Sequence, residues 1–255
     1  MQTYGKGEAG RGEYTGMTDI DGLIIIDGNA ESVGRYAFAH SNVRKVVIDA
    51  PIVEKGAFYN CKYLEEVVFS DNVIKIEEEA FYKCTALTRA NISRNLVMIG
   101  KSAFAGCTSL EKLVLYDKLR EIGECAFTSC DSLVSLKVSE SLHRIANYAF
   151  SNCLNLYEVD FSGGNLILDG QEHLDDAVLL ENVKSFINIG DHPFLGCSKV
   201  KFFNAKAYRY DVGKKIYKRT LNAIMETWMK VDEESISSKI ARRVLESKWW
   251  QNIFC

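Results

Sequence analysis

One dipeptide sets the plan of this chain. Ala-Phe recurs at Phe58, Phe81, Phe104, Phe127 and Phe150, four consecutive steps of 23 residues. The same positions return around each Phe. For Phe104 they are Ile99 five residues back, Cys107 three on, then Leu110, Leu113 and Leu115; for Phe127 they are Ile122, Cys130, Leu133, Leu136 and Val138. A strict period of this length means a solenoid, in which each unit is one coil and buries its apolar edge against its neighbours. Compositions that would argue otherwise are absent: apolar residues make up 47% and there are only two prolines, so the chain is neither disordered nor linker-rich.

Each coil contains an L-x-x-L-x-L run: Leu64, Val67, Phe69; Leu87, Ala90, Ile92; Leu110, Leu113, Leu115; Leu133, Leu136, Val138; Leu156, Val159, Phe161. The last two members are two apart, the period of a strand. Stacked coils therefore build a parallel sheet. Between strands runs an Ile-x-x-x-Ala-Phe-x-x-Cys arc, where Ala leaves room for the ring and a short helical turn would point Phe and Cys to one side.

This pattern, I-G-x-x-A-F-x-x-C-x-x-L-x-x-L-x-L, resembles the BspA-like leucine-rich repeats. The match covers residues 33–161 and returns at 189–203. The resemblance implies a curved solenoid with a concave parallel sheet that binds other proteins, often as a surface adhesin. It carries over no catalytic residues. By strand alternation the concave face presents Lys45, Val47, Asp49; Glu66, Val68, Ser70; Arg89, Asn91, Ser93; Lys112, Val114, Tyr116; Ser135, Lys137, Ser139; and Glu158, Asp160, Ser162. A surface so mixed in charge suits a protein or peptide partner better than DNA.

The ends depart from the period. Residues 1–19, glycine-rich at the start, read as a flexible leader; the letters G-K-G-E-A-G within it lack the strand and helix that a dinucleotide site requires. Leu23, Ile24, Ile25 and Ile26 form a first strand closed by a turn at Asp27, Gly28 and Asn29. From Phe150 to Phe194 the interval is 44 residues, which predicts one degenerate coil with Leu168, Leu174, Leu179 and Val183 at its inward positions. A last coil has Ile189, Phe194, Cys197, Val200 and Phe203. The solenoid thus spans 20–205. Over 206–255 the period changes: Tyr217, Leu221, Ile224, Trp228 and Val231 form one helical stripe. Asp232 can cap a second helix bearing Ile236, Ile240 and Val244. These two helices read as an α-helical cap over the open end of the solenoid.

Candidate chemistry is sparse. Six of the eight cysteines, Cys61, Cys84, Cys107, Cys130, Cys153 and Cys197, hold one repeat position and read as a reduced, buried column. No C-x-x-C pair suggests zinc. The run at 171–176, with His173 and three carboxylates, reads as a solvated turn. His40, His143, His173 and His192 fall at scattered positions, and no hydrolase, P-loop or metalloprotease motif occurs. No enzyme activity, cofactor or metal is expected. Charge is uneven: residues 199–255 carry 13 Lys and Arg against 6 Asp and Glu, in a chain of net charge -3. Arg209, Lys214, Lys215, Lys218 and Arg219 make a basic patch open to an acidic partner or, less favoured, nucleic acid.

The expected function is a non-enzymatic protein-interaction scaffold that binds through the concave face. Its rivals are a secreted or cell-surface adhesin fragment and an accessory subunit of a nucleic-acid-associated complex. With no membrane span and no apolar leader in the sequence as written, the expected location is the cytoplasm, or the cell surface if the chain is a processed fragment.

Overall fold

The computed structural model describes residues 2–4, 22–139, 141–161, 165–168, 186–190, 192–203, 206–211 and 215–219. In chain order its strands are β1 (Gln2–Tyr4), β2 (Leu23–Ile26), β3 (Lys45–Ile48), β4 (Ile52–Val53), β5 (Glu66–Phe69), β6 (Lys75–Ile76), β7 (Arg89–Asn91), β8 (Met98–Ile99), β9 (Lys112–Val114), β10 (Glu121–Ile122), β11 (Ser135–Lys137), β12 (Arg144–Ile145), β13 (Glu158–Asp160), β14 (Asn165–Leu168), β15 (Phe186–Ile189), β16 (Lys201–Phe203), β17 (Lys206–Asp211) and β18 (Lys215–Arg219). They form two nine-stranded sheets. The first runs β1-β2-β3-β5-β7-β9-β11-β13-β16, and the second runs β18-β17-β14-β15-β12-β10-β8-β6-β4. Each regular coil gives the first sheet a strand of three or four residues and the second a strand of two.

Register shows why a 23-residue period builds this. Val67 pairs with Val46, and Leu136 with both Leu113 and Val159, so like positions stack coil upon coil. On the second sheet Val53, Ile76, Ile99, Ile122, Ile145 and Ile189 form one column. All six are fully buried. Between the sheets lies the phenylalanine column. Phe38, Phe58, Phe81, Phe104, Phe127, Phe150 and Phe194 stack face to face, with centroids 5.1 to 5.5 Å apart and planes within 9°. Offset stacks at this spacing add to burial rather than oppose it.

The arc that carries each Phe is not the helical turn the spacing suggests. In every coil the residues two before and two after Phe have positive φ: Ser102 (52°) and Gly106 (75°) flank Phe104, and Cys125 (54°) and Ser129 (58°) flank Phe127. A left-handed residue every fourth position cannot continue an α-helix. It turns alternate N–H groups outward along the stack instead. Ser102 N, Phe104 N and Gly106 N donate to Glu124 O, Ala126 O and Thr128 O of the next coil, each at 2.8 Å. Left-handed geometry costs a non-glycine residue roughly 1 kcal/mol, and these inter-coil bonds offset it. The Gly after Ile has a different cause: a Cβ on Gly123 would lie 2.6 Å from the Gly100 carbonyl carbon, and one on Gly100 would lie 2.6 Å from that of Glu77.

Cysteine also has a specific reason to be where it is. Each column thiol donates to the Phe carbonyl one coil back: Cys84 to Phe58 O (3.2 Å), Cys107 to Phe81 O (3.2 Å), Cys130 to Phe104 O (3.3 Å), and on to Cys197 at Phe150 O (3.0 Å). The position demands a small apolar side chain that still carries a hydrogen. Burial pushes the thiols of Cys84, Cys107, Cys130 and Cys153 well up from their ordinary range.

Four sequence expectations are corrected. Within the supposed leader, Gln2–Tyr4 is a strand paired in parallel with β2; the leader's other residues lie outside the described ones. No coil intervenes between Phe150 and Phe194. Their rings stack at 5.5 Å, and β15 pairs directly with β12. The interval therefore holds one ordinary coil and an excursion of about 21 residues beyond the period. That excursion contributes β14, which joins the second sheet on the far side of β15, with Leu168 in register with Ile189. Leu174, Leu179 and Val183 lie outside the described residues. In the last coil, Phe202 rather than Phe203 is in register with Val159; the coil is one residue short, and a one-residue slip exchanges the two faces of a strand. Finally, 206–219 is not the start of a helical cap. β17 and β18 pair antiparallel, and β17 pairs with β14. Alternating aromatic and β-branched residues at Tyr208, Tyr210, Ile216 and Tyr217 favour strands there, and the helical stripe overran that signal from Tyr217. Residues 220–255 lie outside the described ones.

Candidate functional site

The outer side of the first sheet is built by alternation. Each strand buries its even rank, as in the exposed-buried-exposed order of Lys112, Leu113 and Val114, and turns the other rank to solvent. Two rows result. One runs Lys45, Glu66, Arg89, Lys112, Ser135, Glu158, Lys201; the other runs Val47, Val68, Asn91, then Val114, Lys137, Asp160. The expected face residues Lys45, Val47, Glu66, Val68, Arg89, Asn91, Lys112, Val114, Lys137, Glu158 and Asp160 are thus brought onto one surface. Tyr116 lies at its margin, with the Arg94 guanidinium 5.9 Å from its ring centroid.

Two further positions expected on this face are not there. Ser93 and Ser139 are buried. Their hydroxyls accept from Asn95 N (3.0 Å) and Ser141 N (3.1 Å), so they close turns rather than meet solvent. Ser162 lies outside the described residues.

Charge on the face is arranged, not scattered. At the N-terminal side, Lys45 Nζ and Glu66 Oε2 pair at 2.7 Å, and beside them Arg44 and Glu65 pair at 2.7 Å. Arg89 and Lys112 follow in direct register. Both are exposed, and neither has an ion-pair partner among the described residues. Val114, 54% exposed, lies two residues along from Lys112. Exposed pairs of this kind contribute at most about 1 kcal/mol each, so the face does little to hold the fold.

The sequence reading missed two surfaces. At the rim before the strands, where earlier coils place Arg44, Glu65, Thr88 and Glu111, the chain switches to Val134 and Tyr157, both about half exposed, as is nearby Leu154. Lys201 Nζ donates to Tyr157 Oη at 2.8 Å. The change of residue type at one repeat position was the available signal. On the turn side, Tyr59 and Tyr82 stack at 5.0 Å with Tyr36 beside them; burial, with Tyr59 and Glu79 nearby, pushes the Tyr82 phenol to about 12.

The basic patch does not form one helical face. Arg209 pairs with Tyr217, Lys215 with Asp211, Lys218 with Tyr208 and Arg219 with Ala207 along the β17–β18 ladder; Lys214 lies outside the described residues. The histidines are dispersed. His40 Nδ1 lies 3.0 Å from Asn60 Nδ2, His143 Nδ1 lies 2.5 Å from Ser141 O, and His192 packs against the Tyr148 ring; His173 and the rest of 171–176 lie outside the described residues. Among the described residues no group of three or more His, Cys, Asp or Glu is placed to hold a metal. A groove lined by Arg35, Ile52, Glu54 and Glu77 has its charges engaged locally, Lys75 with Glu77 at 2.8 Å and Arg35 with Glu54 at 3.8 Å. No helix among the described residues is long and apolar enough to cross a membrane.

The repeat has counterparts among known proteins. Residues 31–157 match the model of the BspA type leucine rich repeat region, in six copies. Among solved structures, the leucine rich repeat protein of T. pallidum is 26% identical, with 70% of this chain and 78% of that one covered and a TM-score of 0.48. A leucine-rich repeat protein from Bacteroides ovatus is 17% identical over 80% of this chain and 75% of that one, with a TM-score of 0.28. The pneumococcal vaccine antigen PcpA is 16% identical over 70% and 60%, with a TM-score of 0.33. No curated protein is significantly similar. Leucine-rich-repeat proteins are in general non-enzymatic binding scaffolds with protein-interaction or surface roles. With the repeat read from its residues, its coils stacked in register and the family model matched over 31–157, the chain belongs to the BspA-type leucine-rich-repeat proteins.

Proposed function

We propose that this protein is a non-enzymatic scaffold that binds a protein partner through the outer face of the first sheet. One observation carries the reading. The face is a broad, regular surface of exposed and half-exposed side chains, including an exposed valine at its centre, that the core does not use. A broad platform with a mixed charged and apolar surface is the chemistry of protein recognition. It lacks the continuous basic stripe that duplex DNA needs. The remaining residues of the chain, 220–255, are proposed as a cap or docking module. The same proposal places the protein in a reducing compartment such as the cytoplasm, supported by a core packed around six unpaired thiols.

Site-specific photo-crosslinking tests the reading. A benzophenone side chain replaces Val68, Val114 or Lys137 on the face, or Lys62 and Lys83 on the turn side, and each protein is irradiated in extract of the native cell. The expected result is one partner captured from the face positions and not from the turn side. Capture from the turn side alone overturns the assignment.

A further inference from the structure

From two cations at the centre of the first sheet that have no ion-pair partner among the described residues, we propose that this face seats an acidic, extended protein segment, with a carboxylate between Arg89 and Lys112 and an apolar side chain on Val114. The inference rests on the face being the binding surface and adds the chemistry of its occupant.

The argument begins with an arrangement that the fold alone does not favour. Like charges directly opposite on neighbouring strands destabilise a sheet, and opposite charges there stabilise it. One coil earlier the chain follows that rule: Lys45 and Glu66 are in register and paired at 2.7 Å. Further along, Lys137 is in register with Asp160. Between these, Arg89 faces Lys112 in register. Strands lie about 4.8 Å apart, so two exposed cations stand side by side. Glu66, the neighbour of Arg89 on its other side, is already engaged with Lys45. Glu111 stands at the rim beside Lys112 and has no ion-pair partner among the described residues. A locally unfavourable pair on an otherwise consistent scaffold is the kind of departure that marks a site.

Geometry then limits the occupant. A carboxylate over the Arg89–Lys112 pair meets two cations at once. Charge-assisted bonds are strongest where the donors are already in position. Two residues along the strand direction, about 7 Å away, Val114 is exposed beside Asn91. An extended segment lying along these strands repeats its side chains at the same interval. It therefore presents an acidic residue and, two positions on, an apolar one. Tyr116, with Arg94 against its ring, continues the line.

The test uses the full chain and a displayed library of random seven-residue peptides. Selected peptides are synthesised with a fluorophore and titrated against wild type, the Arg89→Glu/Lys112→Glu double variant, the Val47→Arg/Val68→Arg double variant and Lys62→Glu on the turn side. The expected peptides are enriched in Asp or Glu two positions from an apolar residue. They lose about tenfold or more in affinity with Arg89→Glu/Lys112→Glu, weaken as salt rises, and are indifferent to Lys62→Glu. The charge-reversed protein keeps a cooperative melt close to the wild-type temperature, because exposed charges on this face contribute little to the fold, so the loss is not unfolding. Peptides without acidic enrichment that depend on Val47 and Val68 but not on Arg89 and Lys112 overturn the seat and leave the face standing. Peptides indifferent to every face substitution overturn the face as well. If oligo-dT of about 15 nucleotides competes more tightly than any acidic peptide and is lost with Arg89→Glu/Lys112→Glu, the seat is for phosphate and the peptide assignment is wrong.

Discussion

The thiol column makes the protein's stability a steep function of alkaline pH. Cys84, Cys107, Cys130 and Cys153 are fully buried, and burial holds each folded thiol far above its ordinary range. In the unfolded chain the same thiols lose their protons near pH 8.5. Above that pH the unfolded state binds fewer protons than the folded one, so stability falls as pH rises; below it the contribution is present in full. Each thiol costs about 1.4 kcal/mol per pH unit once the unfolded form is ionised. Four thiols together approach 5–6 kcal/mol per unit, comparable with the whole stability of an ordinary domain. In the window from pH 8.5 to 10 the buried thiols, with Cys125 also raised by burial, dominate the slope, because Tyr82, held near 12, and an unfolded tyrosine near 10 contribute mainly at its top and above it. The assay is the urea midpoint and slope measured at half-unit steps under strictly reducing conditions, for wild type and Cys107→Ala. The variant starts less stable, through its lost bond to Phe81 O and a small cavity, but loses stability with pH more slowly by one thiol's share. Parallel pH dependences for the two proteins refute the reasoning.

Three other outcomes follow from the same core. Phe104→Ala, which removes one ring from a continuous stack, costs about 3–5 kcal/mol by chemical denaturation, whereas Lys101→Ala, which loses one exposed pair with Glu124, costs less than about 1 kcal/mol. Gly123→Ala forces a methyl into the Gly100 backbone and costs at least about 2 kcal/mol; an unchanged midpoint contradicts the close approach of successive coils. Iodoacetamide labelling of the native protein, read by intact mass, leaves the six column thiols unmodified over the time in which the urea-unfolded chain labels fully, so only Cys125 and Cys255 remain as native targets.

The regular coils were legible because one residue type answers one geometric demand at each position. Phe at the ring column, Ala before it and Ile five before it repeat because every coil meets the same neighbours. The turn geometry was less legible. Gly56, Glu79, Ser102, Cys125 and Tyr148 all adopt left-handed φ at one repeat position, and only Gly56 among them announces it. There the demand falls on the backbone, and inter-coil hydrogen bonds, which any side chain allows, meet it. The 44-residue interval misled for a different reason. Its length approximates two periods, but β14 enters the sheet out of chain order, and strand order is a long-range choice that spacing does not encode. The step from Tyr217 to Val231 shows the converse: a helical stripe is a local signal, and over Tyr217–Arg219 pairing with β17 outweighs it. Of the candidate site, the face was readable from strand alternation. That Arg89 and Lys112 have no ion-pair partner among the described residues was not, because it depends on which neighbour Glu66 chooses.

That separation between core and face has a consequence for how such a surface can work. Inward positions are fixed by stacking: Leu113 must match Leu136 and Ala90, and a change there is felt through the column. Outward positions touch only their row neighbours and exchange surface pairs worth at most about 1 kcal/mol. The fold therefore places almost no demand on them, and charge there reports on the partner. In a coil where the outward pair is opposite and bonded, as at Lys45 and Glu66, stability alone explains the residues. Where it is like-charged and open, as at Arg89 and Lys112, stability argues against them. The centre of the sheet is where a partner's binding energy has the most to offset, and Lys112→Glu, which turns that repulsion into attraction, should raise the melting temperature while it weakens the partner.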